Sequence, residues 1–310
     1  MIEVRNLTKR FGPLTAVDDL SLEVGESEVL GLLGPNGAGK TTTVRMLCCL
    51  ISKTSGEARI AGYDTAKAAE ALQIRRLVGF VSDNVGLYEE LSAYENLDFY
   101  GRLYGCREPQ RAQSIRRLLT MLGLWEKRDS AAGTFSKGMK QKLAMARALV
   151  HDPRVFFLDE PTANLDPESA RTVRDFIVEL KHDRRTIVLN THNLAEAQRI
   201  CDRIAILNTR LVATGTPEEL ERSVGRRRLL VRLDDIDRIR DAALAAVRAV
   251  LPAAEVSVEG DQLSIAADDP DAATPDVMQA LIRAGARVRS AGVTGASLED
   301  AYLNLVGRGR

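Results

Sequence analysis

The sequence lacks several features that mark particular classes of protein. Its 310 residues contain 43 Lys and Arg against 43 Asp and Glu, so the formal net charge is zero. Without a charge excess, no broad electrostatic field favours DNA, RNA or an anionic membrane as the main partner, and we expect no nucleic-acid partner. The sequence contains no apolar run of about 18 residues, and its N-terminus reaches charged residues within a few positions. We therefore expect neither a membrane span nor a signal peptide.

Cysteine is also scarce, with four residues at positions 48, 49, 106 and 201. Their spacing does not match that of metal ligands, and the adjacent pair is poorly placed to form a disulfide with itself. This pattern favours a reduced, cytoplasmic chain. Low-complexity tracts and internal repeats are absent too. What remains is a chain with 45% apolar residues, long enough for a substantial core and for two domains.

The first part of the chain, up to about residue 220, predicts an α/β fold. Short runs rich in Val, Ile and Leu alternate there with segments of helical period, which is typical of a mostly parallel sheet covered by helices. The segments 28–34, 155–160 and 186–192 are predicted to be buried strands. Between about residues 87 and 150 the pattern becomes almost purely helical, which predicts a helical subdomain.

The pattern changes near residue 225, and we expect a first domain at 1–225 and a second at 226–310. The second domain contains none of the glycine-rich or catalytic patterns found before it. Its predicted elements follow the order β-α-β-β-α-β and end in a further helix, with a hairpin turn at "EGDQ". This order predicts a small α+β domain of the ferredoxin-like type.

A phosphate-binding loop is predicted at "GPNGAGKT", from Gly34 to Thr41. The loop fits the pattern G-x-x-x-x-G-K-[ST], follows an apolar strand and precedes a helix, which is the context that this motif requires. Glycines let successive backbone N–H groups point at phosphates, while a lysine supplies a cation and a threonine hydroxyl can ligate magnesium. The predicted nucleotide-binding residues here are Gly34, Pro35, Asn36, Gly37, Ala38, Gly39, Lys40, Thr41 and Thr42.

Three further candidates follow predicted strands. Asp159 and Glu160 end the strand "VFFLDE", and His192 follows the strand "TIVLNTH". In open α/β sheets ligands gather at the carboxyl ends of the strands. We expect Asp159 to hold the metal, Glu160 to orient or deprotonate an attacking water, and His192 to contact the terminal phosphate. Lys40, Glu160 and His192 are the predicted catalytic residues.

A second anion site is predicted at "FSKGM", where Ser136 is a natural helix N-cap and Gly138 leaves room for a phosphate at the first turn. Chance capping of an ordinary helix is the alternative. If both anion sites served one phosphate group within one chain, they would have to converge on it from opposite sides. A second subunit solves this geometry more readily, with each nucleotide bound by the loop of one chain and covered by Ser136 and Gly138 of the other.

Together these motifs resemble the ATPase subunits of ATP-binding cassette (ABC) transporters over roughly residues 1–220. The matching motifs, in family order, are Phe11, "GPNGAGKT", "GFVSDN", "FSKGM", "VFFLDE", "ANLD" ending in Asp166, and "NTH" with His192. The resemblance implies that Phe11 stacks on adenine, that Asp166 belongs to the D-loop, and that two ATP molecules with Mg²⁺ are sandwiched in a head-to-tail dimer. It also implies membrane permease subunits as partners and a location on the inner face of the cell membrane.

Two positions depart from the usual pattern of the family. In the signature motif, Lys137 and Met139 replace a glycine and a glutamine, while Ser136 and Gly138 match the usual residues. At the Q-loop position this chain has Asp83 where the family usually has glutamine. A carboxylate is a good ligand for magnesium, so we expect Asp83 to contact the metal and the nucleotide. Because its side chain is shorter than that of glutamine, we also expect an altered geometry in the link from this site to the membrane partner.

The segment "VGLYEELSAYENLDFYGRLYG" and the terminal "SLEDAYLNLVG" resemble exporter ATPases that serve a separately encoded permease, and the size of the second domain fits their accessory domain. A soluble ABC ATPase acting on translation or DNA is the alternative, together with a regulator that binds nucleotide without turnover. The single cassette, the absence of a coiled-coil insertion and the balanced charge favour the exporter. Glu160 and His192 favour turnover.

Overall fold

A computed structural model describes residues 1–82, 85–223, 228–234, 236–267, 269–295 and 297–307. The chain divides into two compact units, one covering Met1–Pro217 and the other beginning at Glu218. The boundary predicted near residue 225 lies outside the described residues and stays a prediction. Within the described parts of the chain, no helix combines the length and the apolar character needed to cross a membrane.

The centre of the first unit is a six-stranded sheet. Its bounds are β3 Val29–Leu33, β6 Val78–Val81, β7 Val155–Asp159, β8 Thr186–Asn190, β9 Arg203–Asn208 and β10 Arg210–Gly215. The strand order is β10-β9-β3-β8-β7-β6, and only β10 runs antiparallel to its neighbour. Every residue of β3, β7 and β8 is buried, so the three predicted strands are confirmed. Burial on both faces explains why these strands are continuous apolar runs.

A second, antiparallel sheet is formed mainly by the N-terminal segment, and the sequence analysis did not predict it. Its bounds are β1 Ile2–Phe11, β2 Leu14–Val24, β4 Ser55–Ile60 and β5 Tyr63–Asp64, in the order β2-β1-β4-β5. Ile2 and Val4 are buried whereas Glu3 and Arg5 are exposed, which is the alternation of a strand with one solvated face. The mostly parallel arrangement therefore holds for the central sheet alone.

The helices of the first unit cover the sheets and form the subdomain. Their bounds are α1 Lys40–Leu47, α2 Ala68–Leu77, α3 Ala93–Leu103, α4 Gln110–Met121, α5 Lys137–Leu149, α6 Pro167–His182 and α7 Leu194–Ile200. The helices α3, α4 and α5 occupy the segment 87–150, so the predicted helical subdomain is confirmed. Ser92 and Glu95 begin α3 with a reciprocal capping box, in which each side chain accepts a hydrogen bond from the other residue's N–H.

The short helix α8 begins at the last residue of the first unit, and the second unit continues from it as a ferredoxin-like fold. Its bounds are α8 Pro217–Arg222, β11 Arg228–Asp234, α9 Ile236–Val250, β12 Glu255–Glu259, β13 Gln262–Ala266, α10 Pro270–Arg283, β14 Arg287–Thr294 and α11 Leu298–Gly307. The four strands are antiparallel in the order β12-β13-β11-β14, as the predicted topology requires. Helix α10 begins five residues before its predicted start, because Asp269 caps it and Pro270 fits its first turn.

Candidate active site

A cavity of about 510 Å³ opens at the carboxyl edge of the central sheet. Because β3, β8 and β7 are parallel neighbours, the residues that follow them meet at the same edge. Cavities of about 300–1,000 Å³ commonly hold cofactors and small ligands. The lining residues are Phe11, Leu14, Thr15, Ala16, Asn36, Gly37, Ala38, Gly39, Lys40, Thr41, Thr42, Asp159, Glu160, Asn190 and Thr209.

The loop between β3 and α1 has a shape that requires glycine. A Cβ added to Gly34 would lie 2.3 Å from the carbonyl oxygen of Leu207, and one added to Gly39 would lie 2.4 Å from that of Ala16. Gly39 also has a φ of +91°, a backbone conformation that other residues rarely adopt. The close approach of these two carbonyl groups to the glycines fixes the loop at the head of α1, where the helix N-terminus favours an anion.

Lys40 lies at the floor of this loop with only 7% of its surface exposed. Its Nζ donates hydrogen bonds to the carbonyl oxygens of Gly34, at 2.6 Å, and Pro35, at 3.1 Å. Burial lowers the pKa of Lys40, and the nearby carboxylates of Glu160 and Asp159 act in the opposite direction. A cation held beside backbone N–H groups and a helix N-terminus fits a phosphate ligand.

Thr41, Asp159 and Asn190 form a polar cluster beside the loop. Thr41 Oγ1 donates to Asp159 Oδ2 at 2.9 Å. Asn190 Nδ2 donates to Asp159 Oδ1 and, at 3.3 Å, to Thr41 Oγ1. The sequence analysis missed Asn190, although its place at the carboxyl end of β8 was a usable signal.

The oxygen atoms of this cluster fit Mg²⁺ when phosphate oxygens of a bound nucleotide supply further ligands. Mg²⁺ prefers oxygen ligands, is commonly held by one or two carboxylates, and takes its other ligands from water and substrate phosphates. Thr41 and Asp159 supply two oxygens at the mouth of the phosphate loop. Among the residues that the structure describes, no cluster of three or more His, Cys, Asp or Glu side chains could hold a metal alone. Asp83, the third predicted metal ligand, lies outside the described residues.

Glu160 and His192 contact each other at the rim of the cavity. Glu160 directly follows β7 with a φ of +50°, and its N–H donates to the carbonyl oxygen of Asn190 at 2.8 Å. His192 Nδ1 lies 2.8 Å from Glu160 Oε1. Glu160 lines the cavity, whereas His192 does not and leaves 67% of its side chain exposed. The pair therefore presents a carboxylate to the cavity, with an imidazole in contact with that carboxylate.

Phe11, the last residue of β1, also lines the cavity. Its ring is 47% exposed, and Lys9 Nζ lies 4.8 Å from the ring centroid. An exposed aromatic face at a cavity wall suits stacking on a planar base.

The remaining predicted residues, Ser136, Gly138 and Asp166, do not line this cavity. Ser136 caps α5 and accepts a hydrogen bond from the N–H of Met139 at 3.3 Å. Asp166 caps α6 and accepts one from the N–H of Ser169 at 2.8 Å. A Cβ on Gly138 would lie 2.3 Å from Ser169 Oγ, so the packing of α5 against α6 by itself requires glycine. The sequence analysis had attributed this glycine to phosphate access alone.

Comparison with known proteins identifies the family. A family model described as ABC transporter matches residues 17–163, and one described as ATP-binding protein DrrA1-3-like, C-terminal domain, matches residues 215–306. The linearmycin resistance ATP-binding protein LnrL of Bacillus subtilis strain 168 is 32% identical over 99% of this chain and 99% of its own length. The chain belongs to the ABC transporter ATP-binding proteins. The daunorubicin resistance ATP-binding protein DrrA3 of Streptomyces coeruleorubidus is 34% identical over 100% of this chain and 96% of its own length.

The fold agrees with this assignment. A dimeric structure of a post-hydrolysis state of the ATP-binding cassette MJ0796, bound to ADP and Pi, is 27% identical with a TM-score of 0.64. The match covers 70% of this chain and 98% of the other. This ABC protein is therefore a nucleotide-binding ATPase with a cassette and a DrrA-like C-terminal domain.

Proposed function

We propose that this protein binds and hydrolyses ATP as one half of an ATPase dimer that drives export through a separate membrane permease. One observation carries the proposal. The cavity contains the phosphate loop, Lys40 and Glu160, while Ser136 caps α5 outside that cavity. Each chain thus carries the phosphate loop of one nucleotide site and, at a different place, the Ser136 surface of another. A second ATPase chain, most simply an identical copy, completes both sites.

Each side chain has a role that follows from its place. Lys40 and the loop N–H groups bind the β- and γ-phosphates, and Phe11 stacks on the adenine. Thr41 and Asp159 hold Mg²⁺, which neutralises charge on the phosphates when it is bound. These assignments rest on the positions of the side chains around one cavity.

Glu160 is the group that we assign to proton transfer. Its carboxylate lines the cavity, where it accepts a hydrogen bond from the attacking water. It takes the proton as the water oxygen bonds to the γ-phosphorus, while the bond from that phosphorus to the β–γ bridging oxygen breaks and ADP leaves with the bonding electron pair. His192 contacts the same carboxylate and holds it in place. Because ATP binds more tightly to the closed dimer than to the open one, binding shifts the population toward closure and hydrolysis releases it.

An exposed apolar surface supports docking of the permease. The groove between β6 and the helical subdomain has a volume of about 370 Å³ and is lined in part by Phe80, Tyr100 and Tyr104. Leu50 also lines the groove and is 55% exposed. Phe80 lies three positions before Asp83, so a partner seated here would contact the segment that we expect to touch the nucleotide. Peripheral attachment to the inner face of the cell membrane would follow from this docking.

The relatives support an exporter more than the soluble alternative. The relatives LnrL and DrrA3, which match this chain over nearly its whole length, are both named for resistance to a compound. Export of an organic compound is therefore the proposed role. The membrane subunits, and not this chain, would contact the cargo.

The decisive experiment measures the size of the protein with ATP. Glu160→Gln should bind ATP without turning it over, and should run as a dimer in gel filtration with ATP, both with and without magnesium. Adding Ser136→Ala should weaken this dimer, and adding Lys40→Ala should prevent it by removing nucleotide binding. If Glu160→Gln stays monomeric with saturating ATP, or if the wild-type turnover per molecule does not rise with protein concentration, the two-chain site is wrong.

A further inference from the structure

Behind the cavity, the buried carboxylate of Glu196 connects two loops. Glu196 lies in the first turn of α7 and is only 3% exposed. Thr162 Oγ1 donates a hydrogen bond to its Oε1 at 2.7 Å. Thr191 Oγ1 donates one to its Oε2 at 2.9 Å. Each carboxylate oxygen therefore holds a different loop.

These two loops are the ones that carry the catalytic pair. Thr162 lies two residues after Glu160, in a turn closed by a hydrogen bond of 3.1 Å from the N–H of Ala163 to the carbonyl oxygen of Glu160. Thr191 directly precedes His192. Glu196 thus links the two loops at a short distance from the point where His192 Nδ1 meets Glu160 Oε1 at 2.8 Å.

A carboxylate in this place needs a specific explanation. Burying a charged group costs several kcal/mol, and an apolar side chain of similar size often replaces it without loss of stability. Burial raises the pKa of Glu196, while the hydroxyls of Thr162 and Thr191 act to lower it. The charge of Arg174 also acts to lower this pKa, but the described residues form no salt bridge with Glu196, so the two hydroxyls are the side chains that donate hydrogen bonds to its carboxylate.

We propose that Glu196 is a positioning residue for ATP hydrolysis, which holds the loop of Glu160 and the loop of His192 at the separation that aligns them. This inference rests on the proposed roles of Glu160 and His192. Glu196 does not line the cavity, so it acts through the two threonines and contacts no substrate. Its removal would let the two loops move apart and misplace the carboxylate that faces the attacking water.

The test compares turnover with nucleotide binding. Glu196→Ala should lower kcat about tenfold or more while the KM for ATP changes by less than about twofold, because misplacement of a reacting group by about 1 Å is costly. Thr162→Val and Thr191→Val should each lower kcat as well, and should have little further effect when combined with Glu196→Ala. Glu196→Gln keeps one acceptor and gains an amide donor that a hydroxyl can accept, so it should recover part of the lost turnover.

Two controls separate positioning from folding. Thr172→Val removes a hydroxyl on α6 that donates a hydrogen bond of 3.0 Å to the carbonyl oxygen of Glu168, within its own helix, and it should leave kcat unchanged. Thermal unfolding shows which variants are folded at the assay temperature. Should Glu196→Ala fail to fold, the two threonine variants decide, because each removes a single hydroxyl and keeps the carboxylate.

The outcomes also separate this inference from the proposed function. If Glu160→Gln abolishes turnover while Glu196→Ala and both threonine variants keep the wild-type kcat, the positioning role is wrong and the proposed function stands. If Glu160→Gln itself turns over ATP normally, the proposed function fails. A fall in kcat and ATP affinity by the same factor would also overturn the inference, since it would show a general loss of the site.

Discussion

The imidazole Nδ1 of His192 lies 2.8 Å from Oε1 of Glu160, although 32 residues separate the two along the chain. The two side chains meet because β7 and β8 are parallel neighbours, so that the residues after each strand emerge at the same edge. Glu160 faces the cavity, and His192 supports it from outside. We therefore expect Glu160 and His192 to act in hydrolysis more than in binding of the nucleotide.

Replacing His192 should therefore affect turnover and not binding. We expect His192→Ala to lower kcat by about 10²-fold, the usual cost of misplacing a reacting group by about 1 Å, with unchanged affinity for ATP. Steady-state kinetics and titration with a fluorescent ATP analogue measure the two quantities. His182→Ala is the matched control, because His182 is an exposed residue at the end of α6. Equal losses of kcat and affinity in His192→Ala would contradict this separation.

Asp83 gives a prediction about the metal. If its carboxylate ligates Mg²⁺, Asp83→Ala should raise the magnesium concentration needed for half-maximal turnover by more than it weakens ATP binding without magnesium. Asp83→Gln restores the residue usual in the family and should recover the magnesium dependence in part. Identical magnesium curves for the wild type and Asp83→Ala would show that this residue is not a ligand.

Gly138 gives a prediction about stability. A Cβ here would lie 2.3 Å from Ser169 Oγ and 2.7 Å from Ser169 Cβ. Gly138→Ala should lower the free energy of unfolding by about 1–3 kcal/mol, the usual cost of overpacking. Gly292→Ala is the control, because its added Cβ would meet no atom within 4 Å. Urea unfolding checks both variants, and an unchanged midpoint for Gly138→Ala would show that the two helices can separate at little cost.

His151 gives a prediction about pH. Its ring stacks on Tyr104 with centroids 3.8 Å apart, and burial lowers its pKa from 6.5 to about 4. The carbonyl oxygen of Val78 and the carboxylate of Asp152 act to raise this pKa, and Arg185 acts to lower it further. Between these two values the unfolded chain binds a proton that the folded chain does not, so stability is full above pH 6.5 and falls as the pH falls toward 4.

The variant His151→Phe keeps an aromatic ring beside Tyr104 and removes the titration. Relative to this variant, the wild type should lose about 2 kcal/mol of unfolding free energy between about pH 7.5 and about pH 5. Urea unfolding of both proteins at several pH values measures the difference. A gap that stays constant over this range would show that His151 titrates normally in the folded protein.

Much of the fold could be predicted because its signals are local. The apolar runs of β3, β7 and β8 are buried on both faces, and such strands need no knowledge of their neighbours to be identified. The order of elements in the second unit was predicted in the same way. The antiparallel sheet of β1, β2, β4 and β5 was missed, because its pairing brings together segments separated by up to about sixty residues.

In the candidate site, too, the residues with local sequence signals were predicted and those that depend on distant contacts were missed. The phosphate loop is one continuous segment, so its glycines and Lys40 could be recognised from order alone. Asn190 lies in the "NTH" motif without an assigned role and Glu196 lies in no recognised motif, and the importance of both lies in contacts with residues elsewhere in the chain. The predicted reason for Gly138 was incomplete for the same cause, since Ser169 belongs to another helix.

The sequence by itself determined that a strand, a glycine-rich turn and a helix form a loop suited to phosphate, because these lie next to one another along the chain and their chemistry depends on order and spacing. Only the tertiary structure decided which distant side chains support that chemistry. Asn190 reaches Asp159, and Glu196 ties the loop of Glu160 to that of His192, because strand pairing and helix packing bring their loops within hydrogen-bonding distance. Such contacts depend on geometry across the sheet, which the linear order of residues does not specify.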